Sequence, residues 1–203
     1  MQLIPTGEEV VHVLRETGAL REGHFEYPNG LHSNEYLQVP LAMRYYQHSR
    51  MLSVGLSRLL RSNPEIRANI PRLSIVAPAT GGLPVAYGVC EALQAHQVYW
   101  AERDDKTAPM RFRQFMEAEP NEQVVLVDDI LRTGNKLTEM KRLLEERGAT
   151  VLGLAVLIYQ PTPSTPDFGL PFYHLAKLEA HYYADAASCE LCRRRIPLER
   201  VWV

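Results

Sequence analysis

Three stretches of the chain are almost wholly apolar: residues 73–77, 123–127 and 151–159. Runs of that length read as strands buried on both faces, as in a parallel sheet. A shorter run, 98–101, reads as a fourth strand. Between them, 83–95 and 134–147 carry apolar residues at helical spacing, and Gly148 supplies a stop for the second helix. This alternation predicts βαβ units and an α/β fold with a layered parallel sheet. Upstream, 6–18 reads as a helix: Thr6 can cap it, Glu9 sits three residues on, Val10, Val11 and Leu14 form its apolar face, and Gly18 ends it. Residues 23–39 are turn-rich and aromatic, which suggests a hairpin around Pro28-Asn29-Gly30. A further helix is expected over 48–61, closed by Asn63-Pro64. The segment 102–109 is charged and aperiodic and reads as a mobile loop. Residues 1–40 and 161–203 break the alternation. They are expected to form a small hood on a core of about 41–160, within one domain spanning 1–203.

Polar chemistry concentrates where the central run ends. Val124-Val125-Leu126-Val127 leads into Asp128-Asp129, then Ile130-Leu131-Arg132-Thr133-Gly134. A buried strand delivers polar residues at its carboxyl end, where open α/β sheets hold ligands. Thr133, Gly134 and Asn135 then open a helix whose free N–H groups favour a phosphate. Paired carboxylates beside a phosphate cradle suit a ligand with a sugar diol, a phosphate and Mg²⁺.

Composition narrows the setting. A chain of 203 residues can bury a full core without disulfides. Its net charge of -2 gives no reason to expect nucleic-acid binding, and no stretch reaches membrane-spanning length. The odd cysteine count of 3 and the lack of a signal-peptide pattern point to a reducing, cytoplasmic setting. With 18 Arg but only 4 Lys, Lys106 and Lys136 stand out beside the expected ligand loops, whereas Lys141 reads as a solvated helix residue.

The acidic pair and its Thr-Gly turn resemble the PRPP-binding motif of the type I phosphoribosyltransferases. Three further segments resemble the orotate branch of that family, in its short bacterial forms. They are Thr17-Gly18-Ala19-Leu20 with Gly23-His24-Phe25 and 30–36; Pro78-Ala79-Thr80-Gly81-Gly82; and Cys189-Glu190-Leu191-Cys192 followed by Ile196-Pro197-Leu198. The resemblance implies transfer of a 5-phosphoribosyl group from PRPP to orotate in pyrimidine nucleotide synthesis, with Mg²⁺, in a homodimer. It implies that Thr80, Gly81 and Gly82 hold pyrophosphate, and that Asp128 and Asp129 hold the ribose and contact the metal. Arg132, Thr133, Gly134, Asn135 and Lys136 would cradle the 5-phosphate. Arg103 and Lys106 would belong to a loop that closes over a site shared between subunits. His32, Ser33 and Tyr36, from the hood, would reach the nucleobase with Arg132 and Gln160.

Departures from the family pattern lie at the nucleobase end. Pro28 replaces a basic residue, and Tyr159-Gln160 stands where the family has Asp-Arg, whose Arg binds the orotate carboxylate. A neutral Gln cannot replace a bidentate Arg contact. Two readings follow: Arg132 compensates from another direction, or the acceptor is a different base. If Arg132 does not compensate, Gln160→Arg should raise kcat/KM for orotate about tenfold. A third reading is a regulator that binds PRPP without catalysis.

Other residues carry weaker signals. Cys189-x-x-Cys192 with His181 upstream could begin a zinc site, but it lacks a second pair, and the resemblance accounts for both cysteines without metal. Cys90 reads as core and His24 as a structural hydrogen bond. Tyr45-Tyr46 and Tyr182-Tyr183 read as hood packing, and Arg193-Arg194-Arg195 as solvated surface.

Overall fold

The computed structural model describes residues 4–105, 107–113, 116 and 118–201. In chain order the elements are α1 (Gly7–Glu16), β1 (Leu20–Glu26), β2 (His32–Leu37), α2 (Pro40–Met43), α3 (Tyr46–Ser62), α4 (Pro64–Asn69), β3 (Leu73–Pro78), α5 (Gly82–Leu93) and β4 (Gln97–Ala101). They continue as β5 (Gln123–Leu131), α6 (Asn135–Glu145), β6 (Thr150–Tyr159), β7 (Phe172–Lys177), β8 (Tyr182–Tyr183), α7 (Glu190–Arg193) and β9 (Glu199–Arg200). Two sheets result. One has five strands in the order β4-β3-β5-β6-β7, all parallel; the other has four, β8-β2-β1-β9.

The larger sheet is the predicted α/β core. Its central strands β3, β5 and β6 are largely apolar on both faces because helices cover both. Ile75, Ala77, Val125, Val127, Ala155 and Leu157 pack with α1, α3 and α5. The alternate residues Val76, Leu126, Leu154 and Val156 pack with Leu137, Met140 and Leu144 of α6. Period-two alternation thus splits one run of residues between two cores. Each fully buried aliphatic side chain here contributes about 1.5–3 kcal/mol. The capping box at Thr6 and Glu9 forms as expected, with both reciprocal hydrogen bonds present.

Strand order fixes where a ligand enters. From β3 the chain crosses through α5 to β4 on one side; from β5 it crosses through α6 to β6 on the other. The switch point between β3 and β5 opens a crevice at their carboxyl ends.

Several expectations are corrected. β5 does not stop at Val127 but runs to Leu131, because its backbone keeps pairing with β6: Asp128 opposes Val156, and Leu131 opposes Tyr159. Phe172–Lys177, expected in the hood, is instead the edge strand of the large sheet, beside β6 and under α1 and α3. The 102–109 segment is fastened at its base. Glu102 and Arg111 exchange two backbone hydrogen bonds across its base, at 3.0 and 2.9 Å. Tyr45 and Tyr46 do not pack in the hood. They stand 43% and 76% exposed at the start of α3. Tyr182 and Tyr183 do form a hood strand, and the hairpin around Pro28-Asn29-Gly30 forms between β1 and β2. Cys90 packs against the larger core, and Arg193, Arg194 and Arg195 are exposed. Among the described residues, no helix is long and apolar enough to cross a membrane.

Candidate active site

At the switch point lies a cavity of about 390 Å³. The turn after β3 supplies Thr80 and Gly81. The end of β5 supplies Asp128 through Leu131, and the next turn and helix start supply Arg132 through Leu137. Leu37, Gln38 and Pro40 complete the wall from the end of β2 and the start of α2. No local signal marks these last three in the sequence, since an apolar residue, a glutamine and a proline have no chemistry that marks a binding wall.

The β3 turn presses directly against the acidic pair. A Cβ on Gly81 would lie 2.8 Å from an Asp129 oxygen, and one on Gly82 would lie 3.0 Å from Asp128 Oδ1. Glycine is required there by close approach of backbone to carboxylate. At the opposite wall Gly134 has φ of 77°, and a Cβ there would meet Pro166 Cδ at 2.7 Å. The 161–169 segment therefore packs over the turn that leads into α6. Gly134 begins α6 without a side-chain cap. No acidic residue lies in its first turn, although acidic residues are favoured there. The residue that is present, Lys136, is cationic. A helix N-terminus left uncapped beside a lysine is arranged for an external anion, its first N–H groups having no carbonyl within the helix.

Asp128 is 4% exposed, on the buried face of β5. Burial, and then the Asp129 carboxylate beside it, push its pKa well above the usual carboxylate range; Lys136 opposes this only in part. Its Oδ1 accepts the backbone N–H of Asp129 at 2.9 Å. Two carboxylates in this state suit ligands that favour their ionised forms, such as sugar hydroxyls or an oxygen-seeking cation.

Arg132 is the second unusual group. Its Nε donates to Gln160 Oε1 at 2.7 Å, and the Tyr182 hydroxyl donates to the same oxygen at 3.2 Å. Gln160 itself is 2% exposed. Arg132 Nη2 is buried yet has no hydrogen-bond partner among the described residues. Leaving a buried cationic donor unpaired is costly, so the arrangement is suited to an incoming acceptor. Gln160 therefore fixes the Nε edge of Arg132, which stands just past the end of the neighbouring strand β5.

The remaining expected site residues fall elsewhere. Ser33 is fully buried and its Oγ accepts the Glu35 N–H at 3.2 Å. Tyr36 packs with Phe25 and Tyr27 in the small hood core. His32 faces His24 and Cys192, away from the cavity wall. Arg103 is held by Glu139 of α6 and by the Ala108 carbonyl, and does not line the cavity. Glu139 also accepts the Met110 N–H at 2.6 Å, so one carboxylate fastens both arms of this loop to α6. Lys106 lies outside the described residues. Lys141 pairs with Glu145 at 2.7 Å.

Residues 55–169 match the model of the phosphoribosyl transferase domain. The chain belongs to the phosphoribosyltransferase family. It is 34% identical to an orotate phosphoribosyltransferase of Carboxydothermus hydrogenoformans, over 90% of this chain and 91% of that protein. It is 32% identical to the orotate phosphoribosyltransferase of Thermotoga maritima, over 94% and 96% of the two chains. The crystal structure of orotate phosphoribosyltransferase from Aeropyrum pernix superposes with a TM-score of 0.65 at 21% identity. That alignment covers 83% of this chain and 93% of that one, and shows the shared fold.

Proposed function

We propose that this phosphoribosyltransferase transfers the 5-phosphoribosyl group of PRPP to orotate, giving orotidine 5′-phosphate and pyrophosphate. The observation that carries the acceptor assignment is the buried, unpartnered Arg132 Nη2 at the cavity, with Nε anchored by Gln160. A planar guanidinium fixed at one edge presents its free edge to a planar carboxylate. The similarity to curated orotate enzymes supports the same acceptor.

The remaining roles follow from position. The 5-phosphate lies on the N–H groups of Asn135, Lys136 and Leu137, with the Lys136 ammonium beside it, and Thr133 and Gly134 shape the turn. Thr80, Gly81 and Gly82 bring backbone close to the pyrophosphate. Asp128 and Asp129 accept the ribose hydroxyls. As the bond from the anomeric carbon to pyrophosphate breaks, the ribose gains positive charge, which the two carboxylates stabilise. The orotate ring nitrogen, held in line by the Arg132–carboxylate contact, then bonds to that carbon and gives up its N–H proton to the departing pyrophosphate or solvent. The paired carboxylates also fit Mg²⁺ bound to the substrate; when present the ion neutralises charge on the leaving pyrophosphate.

Closure of the 102–109 loop excludes water from the activated ribose. For Arg103 to reach the substrate it must leave Glu139, so this carboxylate acts as the latch of the open loop. We further propose a homodimer in solution, with the exposed Tyr45, Tyr46 and Tyr87 in the contact between copies. Light scattering that reports a monomer at micromolar concentration would contradict the dimer.

A screen of PRPP- and Mg²⁺-dependent pyrophosphate release across orotate, uracil, adenine, hypoxanthine and nicotinate tests the reaction. Release with orotate, and orotidine 5′-phosphate as product, is expected. Release with another base alone would overturn the acceptor, and release with none would favour the non-catalytic PRPP-binding reading.

A further inference from the structure

The hood sheet has little to hold it together. Its flanking strands β8 and β9 are two residues long, and its buried apolar core is Phe25, Tyr27, Tyr36 and Val201. Units with so small a core generally require a disulfide or a metal. Beside that core, four side chains from distant parts of the chain converge: His24 of β1, His32 of β2, Cys189 and Cys192. We propose that these four side chains bind one zinc ion, which ties the C-terminal segment to the β1–β2 hairpin.

One ligand atom from each residue lies within 4.8 Å of all the others. The Cys189 and Cys192 sulfurs are each 3.5 Å from His24 Nε2, and Cys192 Sγ is 3.4 Å from His32 Nδ1. In a tetrahedral zinc site, bonds of about 2.0–2.1 Å to nitrogen and 2.3 Å to sulfur place N and S about 3.6 Å apart. The two ring nitrogens, at 2.9 Å, are at hydrogen-bond distance and must part slightly to admit the ion. Both histidines are 3% exposed, Cys189 is fully buried and Cys192 is half-buried, so the site is largely closed, in the manner of structural zinc. The outer contact is also present. His24 Nδ1 lies 2.9 Å from the Ile196 carbonyl, to which it donates in the tautomer that leaves Nε2 free to ligate.

Thiolate and imidazole donors select zinc rather than Mg²⁺, which requires oxygen. Binding replaces the two thiol protons, which leave to solvent, so affinity falls as pH falls. None of the four residues lines the substrate cavity. Their ion acts through the hood: the tethered segment follows β8, whose Tyr182 reaches Gln160 and so the Arg132 anchor. His181, the histidine that the sequence pairs with the CxxC, is outside the cluster, its backbone N–H donating to Asn34 Oδ1 at 3.3 Å.

The test uses the full-length chain without an affinity tag, purified from zinc-supplemented medium. Elemental analysis should find about one zinc per chain. Cobalt exchanged for the zinc should give the visible bands of a tetrahedral site together with thiolate-to-cobalt charge transfer. Cys192→Ser should lose the stoichiometric metal and that charge-transfer signature, whereas Cys90→Ser should keep both. Because the cobalt spectrum is read on the wild type, an unstable variant does not blunt the test. Wild-type folded protein with only trace zinc and no cobalt–thiolate band would overturn the proposal. So would a Cys189–Cys192 disulfide found by mass spectrometry in freshly purified protein.

Discussion

Arg132→Ala is expected to lower kcat/KM for orotate by about 30-fold to several thousandfold. Removing one partner of a buried charge-assisted contact costs about 2–5 kcal/mol, and each 1.4 kcal/mol is a factor of ten. Affinity for PRPP should change far less, because the 5-phosphate cradle proposed here is built of backbone N–H groups and Lys136. The companion variant reverses an expectation drawn from sequence. There, Gln160→Arg should restore a missing carboxylate partner and improve the enzyme about tenfold. In the structure Gln160 Oε1 is the acceptor for Arg132 Nε and the Tyr182 hydroxyl. A second guanidinium in that buried position would repel the first and remove its anchor. Gln160→Arg should therefore reduce orotate turnover at least tenfold, by the same conversion. Steady-state kinetics on the two variants, with PRPP affinity measured by calorimetry, checks both statements. Improved turnover by Gln160→Arg would restore the sequence-based reading.

Asp128→Asn should abolish detectable PRPP binding and at the same time stabilise the fold at neutral pH. Burial and the adjacent Asp129 hold the Asp128 proton in the folded state above its ordinary carboxylate range. The folded chain then binds more protons than the unfolded chain wherever pH lies between the two values. Stability is fully retained below the unfolded value and falls as pH rises through the raised folded one. A neutral amide removes that loss while its Oδ1 keeps the hydrogen bond from the Asp129 N–H. For a chain of this size the melting temperature should rise by about 2–4 °C for each kcal/mol recovered. The gain should shrink toward low pH, where the wild-type carboxyl is protonated. Calorimetric melts at several pH values, paired with PRPP titrations, decide this. A variant less stable than wild type at pH 7, or one that still binds PRPP, would show that the acidic pair has been misread.

The core was legible in the sequence because its signals are local. Unbroken apolar runs mark strands covered on both faces, and Thr6 with Glu9 marks a helix start within four residues. The acidic pair was legible as chemistry but not as geometry. Charged side chains suggested that β5 had ended, whereas the backbone ladder to β6 is indifferent to what the side chains carry. β7 was missed because Phe172–Lys177, at the sheet edge, is apolar only in part and mixes His174 and Lys177 with aromatic residues. The pairing of Arg132 with Gln160 spans 28 residues, and a comparison made position by position sees Gln160 only as a lost arginine. The His–Cys cluster is more remote still. Cys189 lies 165 residues from His24. His32 comes within reach of His24 because it pairs with Glu26, two residues further along β1, just past a bulge between Glu22 and Phe25. Only the folded hairpin reveals that the two histidines face the cysteines.

The central claim is that Arg132, oriented by Gln160, grips the acceptor's carboxylate. Orotidine 5′-phosphate and uridine 5′-phosphate differ by that carboxylate alone, and neither reacts when pyrophosphate is withheld. Calorimetric titration of both nucleotides into wild type and Arg132→Ala isolates the contact. A charge-assisted hydrogen bond is worth about 1.5–3 kcal/mol. Wild type should therefore bind orotidine 5′-phosphate about 10- to 150-fold more tightly than uridine 5′-phosphate, and Arg132→Ala should bind the two equally. Equal binding by wild type, or a preference that survives Arg132→Ala, would contradict the account.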